Sequence, residues 1–464
     1  MAVPVNRRPG SATAWLMLIF LAPYLGGALY LLIGDPKLPK VRREKQRRAN
    51  ARILELTAGM DHVPDDDPGP PWLASVARLN RNLGAMPLVT GNHVRLIDDY
   101  DAAIHEMADA IDTATEYVHV EVYILAFDDV TRPFFAALER AAQRGVKVRV
   151  LWDHIGSRGV PAYRGTRREL TRLAGVGVES HLMLPVLPLR RQFQRPDLRN
   201  HRKLIVVDGH VAYVGSQNVI DRTYGKRKNR RRGLKWQELV ARVEGPVVGG
   251  VNALFVTDWF SETDEILAGE IERGDAHLAT SSLECQVVPS GPGFDGENNL
   301  KLFNSLMYAA TERVSITSPY FVPDASLLTA VCTAAERGVD VELFVSAVGD
   351  QWMVYHAQRS YYEVLLRAGV RIYRYPAPYI LHAKHMTVDD AVGVIGSSNL
   401  DMRSFELNLE STLLVHGSDF VDELRAIEDG YRAISAELTL TEHLARPLPG
   451  RVVDNIARLT SALQ

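Results

Sequence analysis

The chain has only two cysteines in 464 residues, Cys285 and Cys332. They match no zinc spacing and offer no disulfide framework. They are compatible with a reducing compartment. Nor does charge of one sign accumulate: the formal net charge is −3, so no global field favours an anionic partner. No His/Cys or carboxylate cluster resembles a dedicated metal cage, so the sequence calls for neither metal nor cofactor. Long apolar runs are almost absent. The single one is Ala14 to Gly34, 21 residues without a charge.

With 46% hydrophobic and 23% charged residues, the rest reads as a folded globular chain of two to three domains. The run 14–34 is expected to be one transmembrane helix, because about 20 apolar residues span a bilayer core. Pro23 and Gly26-Gly27 are tolerable inside such a helix. A long apolar core followed by basic residues, without a small-residue cleavage site, argues against a signal peptide. Lys37, Lys40, Arg42, Arg43, Lys45, Arg47, Arg48 and Arg52 follow it, against Arg7 and Arg8 before it. The positive-inside rule then places the C-terminal body in the cytoplasm of a membrane-anchored protein. The basic run is expected to lie against anionic headgroups.

One stretch occurs twice. His201-Arg202-Lys203 leads through a β-rich run to Asp208, then Gly215-Ser216-Gln217-Asn218. His382-Ala383-Lys384 leads likewise to Asp389, then Gly396-Ser397-Ser398-Asn399. Residues two apart on a strand share a face, so each His and Lys project together. A two-residue hairpin loop at Asp208-Gly209, and another at Asp389-Asp390, would pair His201 with Ser216 and His382 with Ser397. Asp208 and Asp389 would serve largely as turn formers; His210 and His385 fall outside the constellation.

The gathered groups suit a phosphodiester. A neutral imidazole can attack phosphorus and a protonated one can protonate the leaving oxygen. Lys and Asn can hold the charged oxygens. One copy supplies half of this machinery.

The pattern resembles the phospholipase D superfamily, which carries a duplicated HxKxxxxD followed by Gly-Ser and Asn. That resemblance makes His201, Lys203, Asp208, His382, Lys384 and Asp389 the candidate catalytic residues. Ser216, Asn218, Ser397 and Asn399 become candidates for binding or orienting the phosphate. Glu238 and Glu410 stand where the superfamily places the acidic partner of a catalytic His. Leu21 to Arg43, Val76 to Gly91, SPYFVP (318–323) and MRSFELNLE (402–410) are similar to bacterial cardiolipin synthases. The resemblance implies transfer of a phosphatidyl group from one phosphatidylglycerol to another, giving cardiolipin and glycerol. His201 would be the nucleophile and His382 the proton donor. A phospholipase D-type hydrolase or another transphosphatidylase is the alternative. The expected partners are anionic phospholipids and the bilayer, not nucleic acid, and no oligomeric state is specified.

The repeat extends outward. Leu138 to Trp152 resembles Val331 to Val345, and Leu173–Val176 resembles Arg367–Val370. The expected fold is α/β, two similar lobes with mixed β-sheet flanked by helices. The expected order is a tail and membrane helix (1–35), a basic segment and acidic/Pro linker (36–72), the first lobe (73–245), a connection (246–285), the second lobe (286–440) and an amphipathic tail (441–464). Two further features stand outside the repeat. Residues 182–191 are apolar, then basic, and are expected to form a lip dipping into the lipid interface. A basic cluster from Arg222 to Lys235 favours anionic lipid over nucleic acid. In the tail, Val452, Ile456, Leu459 and Leu463 share one helical face, expected to pack on the body.

Overall fold

The structure, a computed structural model, describes residues 9–34, 38–57, 69–187, 192–267, 283–294 and 296–459. A single 16-stranded mixed sheet runs through the molecule. From one edge its first half reads Glu179–Met183, Lys147–Asp153, Tyr117–Val122, Lys203–Val207, Val211–Gly215, Val240–Glu244 and Val89–Ile97. From the opposite edge, after Ala436–Leu438, the second half reads Arg371–Tyr375, Asp340–Ser346, Arg313–Thr317, His385–Val388, Val392–Gly396, Asn408–His416 and Leu283–Ser290. The two orders are the same. The repeated sequence therefore builds two equivalent α/β lobes. They join where Val89–Ile97 pairs antiparallel with Leu283–Ser290.

Each lobe has parallel strands joined by amphipathic helices, as continuous apolar strands with helical crossovers require. Arg132–Gln143 buries Phe134, Phe135, Leu138 and Ala141 before Lys147–Asp153; Ala325–Glu336 buries Leu327, Ala330, Val331 and Ala334 before Asp340–Ser346. Asp324 caps the latter by accepting from the Leu327 amide at 2.9 Å. Residues 246–285 include a buried helix, Val247–Thr263. Its place after a lobe's last strand is repeated by Ser418–Ile434 in the second lobe.

The hairpins of both motif copies differ from expectation by one residue. Val207 pairs with Val211 and Val388 with Val392, so each turn holds three residues. Asp208 at φ 52° and Gly209 at φ 72° adopt the left-handed conformation, which Asp tolerates and Gly favours. His201 and His382 lie just before their strands rather than opposite Ser216 and Ser397.

The expected single membrane helix is two. α1 spans Pro9–Leu21 and α2 Pro23–Ile33, of 13 and 11 residues. Among the described residues no helix is long and apolar enough to cross a membrane. Pro23 is the reason. It drives the preceding residue out of helical geometry, and Ala22 has φ −138°, ψ 72°. The two helices then fold back on one another. Trp15 meets Tyr30 edge-on at 5.5 Å, and Gly26 packs where a Cβ would lie 2.7 Å from the Leu18 carbonyl oxygen.

The basic run also departs from expectation. α3 (Lys40–Leu56) docks on the helix Val247–Thr263. Arg42 forks onto Glu262 at 2.8 and 2.5 Å, and Lys45 reaches Asp264 at 2.5 Å. Part of this charge thus holds α3 to the body. The apolar start of the supposed lip is packed too: Leu184 lies in a buried cluster with Leu38, Leu198 and Leu409. Residues 188–191, most of the linker 61–71 and Leu463 lie outside the described residues.

Candidate active site

Two short parallel strand pairs cross between the lobes. Arg199–Asn200, just before His201, pairs with Asn408–Leu409, just before Glu410. Lys235–Gln237, just before Glu238, pairs with Tyr379–Leu381, just before His382. The His201 amide donates to the Leu409 carbonyl at 2.8 Å, and the His382 amide to Gln237 at 2.7 Å. Backbone pairing alone therefore sets each histidine beside a glutamate of the other lobe.

The side chains complete the exchange. His201 Nδ1 lies 3.0 Å from both carboxylate oxygens of Glu410. His382 Nδ1 lies 2.8 and 2.9 Å from those of Glu238. With Nδ1 engaged in each ring, Nε2 is the nitrogen left for chemistry. Both rings line one cavity of about 390 Å³, together with Asn218, Asn399, Tyr123 and Tyr320.

The Gly-Ser pairs explain how the glutamates are held. A Cβ on Gly215 would lie 2.4 Å from the Leu239 carbonyl oxygen, and one on Gly396 2.3 Å from that of Ser411. Glycine is thus required for the strand following each glutamate to approach. Ser216 Oγ then accepts from the Leu239 amide at 3.0 Å, and Ser397 Oγ from the Ser411 amide at 2.9 Å. Ser397 also donates to Glu410 at 2.5 Å. Both serines act on the carboxylates rather than standing free in the cavity. Asn218 is likewise engaged: its oxygen accepts from the Ile124 amide at 3.0 Å, and its Nδ2 lies 3.0 Å from the Tyr224 hydroxyl. That hydroxyl is 3.2 Å from Glu238. Asn399 Oδ1, in contrast, is buried without a hydrogen-bond partner.

Lys203 and Lys384 each donate to the carbonyl of the preceding histidine, both at 2.5 Å. Burial lowers Lys203 to about 7 and Lys384 to about 8. Two buried ammonium groups and two buried carboxylates thus share one desolvated space.

The two imidazoles are not equivalent. Burial, then Lys203 and Lys384, hold His201 well below the ordinary histidine value. Burial also lowers His382, but Glu238 opposes it. The carboxylates diverge in the complementary sense. Burial raises Glu410 to about 7 despite Lys203 and Ser397. At Glu238 burial is outweighed by His382, Lys384 and Ser216, and its value falls below the ordinary one. His201 is the ring kept neutral; His382 is the ring beside a full negative charge.

Asp208 and Asp389 are not brought to this cavity. Each carboxylate binds the chain entering the equivalent strand of its lobe, Tyr117–Val122 or Arg313–Thr317. Asp208 accepts from the amides of Thr115, Glu116 and Tyr117 at 2.8 to 2.9 Å. Asp389 does the same for Thr311, Glu312 and Arg313 at 2.8 to 3.0 Å.

Residue reasoning missed Tyr123, Tyr320, Tyr224 and Arg403. Tyr123 stands edge-on to His201 at 4.8 Å and Tyr320 to His382 at 6.2 Å. They follow the equivalent strands Tyr117–Val122 and Arg313–Thr317, so carrying the repeat a few residues further would have found them. Arg403 lines the cavity and its charge helps depress His201.

The model of the cardiolipin synthase, phospholipase D-like domain matches residues 107–243 and 303–429. A phospholipase D-nuclease N-terminal model matches residues 3–34. Cardiolipin synthase A of Klebsiella pneumoniae is 32% identical over 470 residues, covering 99% of this chain and 94% of that protein. Cardiolipin synthase A of Yersinia pseudotuberculosis is 34% identical over 469 residues, with the same coverage. Among solved structures, a phosphatidylserine synthase from Haemophilus influenzae has the same fold, with a TM-score of 0.64 at 16% identity over 84% of this chain and 100% of that one. Two matched repeats and end-to-end similarity to these relatives place the chain in the phospholipase D-like cardiolipin synthase family.

Proposed function

We propose that the protein is a phosphatidyltransferase that makes cardiolipin from two molecules of phosphatidylglycerol. The observation that carries this reading is the pair of histidines on one cavity, each bonded through Nδ1 to a glutamate of the opposite lobe. His201 Nε2 attacks phosphorus, and the phosphorus–oxygen bond to glycerol breaks. His382 Nε2–H protonates the departing alkoxide. The phosphatidyl group is then carried on His201. His382, now neutral, takes the proton from a hydroxyl of a second phosphatidylglycerol. That oxygen attacks phosphorus and the phosphorus–nitrogen bond breaks. One phosphodiester replaces another, so the exchange needs no nucleotide on energetic grounds.

The depressed basicity of His201 supports it as nucleophile, because a neutral ring keeps its lone pair. The charge on Glu238 supports His382 as the proton carrier. Lys203, Lys384 and Asn399 supply positive charge and polar groups for the non-bridging oxygens. The apolar hairpin α1–α2 serves as the membrane attachment: neither helix reaches across alone, but a hairpin buries its apolar faces and returns the chain to the side it entered. With α3 cationic, that side is the cytoplasmic one.

The test is a product assay. Purified protein with phosphatidylglycerol, EDTA and no nucleotide should yield cardiolipin and glycerol in equal amounts. Phosphatidic acid as the main product would mean that water is the acceptor and would overturn the reading. His201→Ala and His382→Ala should each abolish turnover while remaining folded.

A further inference from the structure

The C-terminal helix Leu448–Arg458 packs on the body through Asp454 and Ala457. Asp454 is 1% exposed and bonds His356 Nδ1 at 2.6 Å and Arg446 Nη1 at 2.8 Å. The aliphatic stripe expected to pack on the body faces out instead: Val452 is 46% exposed, Ile456 58% and Leu459 84%, and Leu448, one turn before them, is 70% exposed. A buried acid with three partners in reach, the third being Arg359 at 3.7 Å, fixes the helix in this sense.

The helix beneath continues the pattern. In Trp352–Arg359, Trp352 is 64% and Met353 44% exposed. The residues on either side of them, Gln351 and Val354, line the catalytic cavity. Lys226, which precedes the basic helix Arg227–Arg232, lines it too. Apolar side chains scattered singly on a surface are ordinary, but a stripe on two packed helices beside a cationic helix marks an interaction surface.

We propose that the outward faces of Leu448–Leu459 and Trp352–Met353, with the cationic helix 227–232, seat the cavity mouth on an anionic lipid bilayer. This rests on the phosphatidyl-transfer reading. The cavity wall is rich in ionisable and amide groups, and its volume of about 390 Å³ suits a glycerophosphate headgroup rather than two long acyl chains. The chains must stay in the bilayer while the headgroup enters, so the mouth must meet the membrane surface. Apolar side chains enter the acyl boundary and cations meet the headgroups. A second copy of this chain would bring like-charged helices to the same interface.

The full-length protein allows a local readout. Cys285 is buried, so in a Cys332→Ser background Ile456→Cys is labelled with an environment-sensitive fluorophore. Phosphatidylglycerol vesicles should shift its emission to the blue, and the same label on Gln143→Cys, exposed on another helix, should not respond. No shift at 456, or a lipid-free shift that grows with protein concentration alongside a dimer in light scattering, overturns the proposal. In a second arm, Val452→Ser with Ile456→Ser should cut turnover of vesicle phosphatidylglycerol about tenfold. Turnover of short-chain, monomeric phosphatidylglycerol should be unchanged. Equal loss on both substrates, or loss on neither, overturns it. If the wild type transfers from neither substrate, the reaction assignment fails instead, and the label at 456 alone decides the surface.

Discussion

Replacing Glu238 by Gln should damage the enzyme far more than replacing Glu410. Gln keeps the shape, and its amide oxygen can still accept the Nδ1 proton, so charge is removed with little change of geometry. Glu238 is held below the ordinary carboxylate value by His382, Lys384 and Ser216 against burial. It is therefore ionised throughout the neutral range and favours protonated His382. Gln keeps the hydrogen bond but not its charge, and a charged partner contributes about 1–1.5 kcal/mol more than a neutral one. At 1.36 kcal/mol per unit, that lowers the His382 value by about one unit. The alkaline limb of the kcat/KM profile should move to lower pH by that amount, and the rate at pH 7 should fall roughly tenfold. Glu410, raised to about 7, is mostly protonated at pH 6, where Gln is a close mimic. Glu410→Gln should stay within about threefold of wild type there and lose more above pH 7, where the native carboxyl ionises. The assay is glycerol release from phosphatidylglycerol in mixed micelles between pH 5 and 8. If Glu410→Gln is the more damaged at pH 6, or the two variants shift equally, the division of labour between the histidines is wrong.

Three further perturbations test other parts of the argument. Asp208→Asn keeps a residue that tolerates the left-handed turn but removes the charge that binds three amides, and should cost about 2–3 kcal/mol; the urea midpoint should fall while activity per folded molecule is retained. Gly396→Ala would put a Cβ 2.3 Å from the Ser411 carbonyl oxygen, so the strand carrying Glu410 must move; turnover should drop more than about tenfold with the circular dichroism spectrum unchanged. Lys203→Met should abolish activity yet raise the melting temperature. Burial lowers Lys203 from 10.5 to about 7, so the native state binds fewer protons than the unfolded one between those values. The cost of burying it is full below pH 7 and declines towards pH 10.5, so the gain in melting temperature should be larger at pH 6 than at pH 9.

How much of this was legible depends on where the information resides. The duplicated motif and the α/β repeat are visible because each is a residue type at a fixed spacing, whereas Glu238 and Glu410, which stand at different distances from their histidines, come only from the family resemblance. The hairpin register was missed by one residue because Asp-Gly suits both two- and three-residue turns. The crossing of glutamates between lobes is invisible in spacing: it is made by Arg199–Asn200 and Lys235–Gln237 pairing with strands about two hundred and one hundred and forty residues away. The apolar run 14–34 passed every composition criterion for one helix, and Pro23 at the start of α2 decided otherwise. The C-terminal stripe was read correctly as one face but assigned to the wrong side. Periodicity states which residues share a face; only a partner such as the His356–Asp454 pair states where that face points.

The crossed arrangement bears on why the two halves remain in one polypeptide. A lobe alone would own a histidine without its carboxylate and a carboxylate without its histidine. Glu238 and Glu410 are both fully buried, and an unpaired buried carboxylate is costly. Each lobe's histidine-bearing segment is therefore stabilised by the other, and the two short strand pairs that cross between the lobes also assemble the cavity. The same exchange permits asymmetry. Because each imidazole answers to the environment of the opposite lobe, a few substitutions around one glutamate retune the far histidine without disturbing its own hairpin. Both glutamates have a serine, but Glu238 also has the Tyr224 hydroxyl at 3.2 Å, whereas Glu410 has Asn408 at 3.3 Å. A near-symmetric fold can in this way give one ring the neutral state that attack requires and the other the charge that favours its protonation.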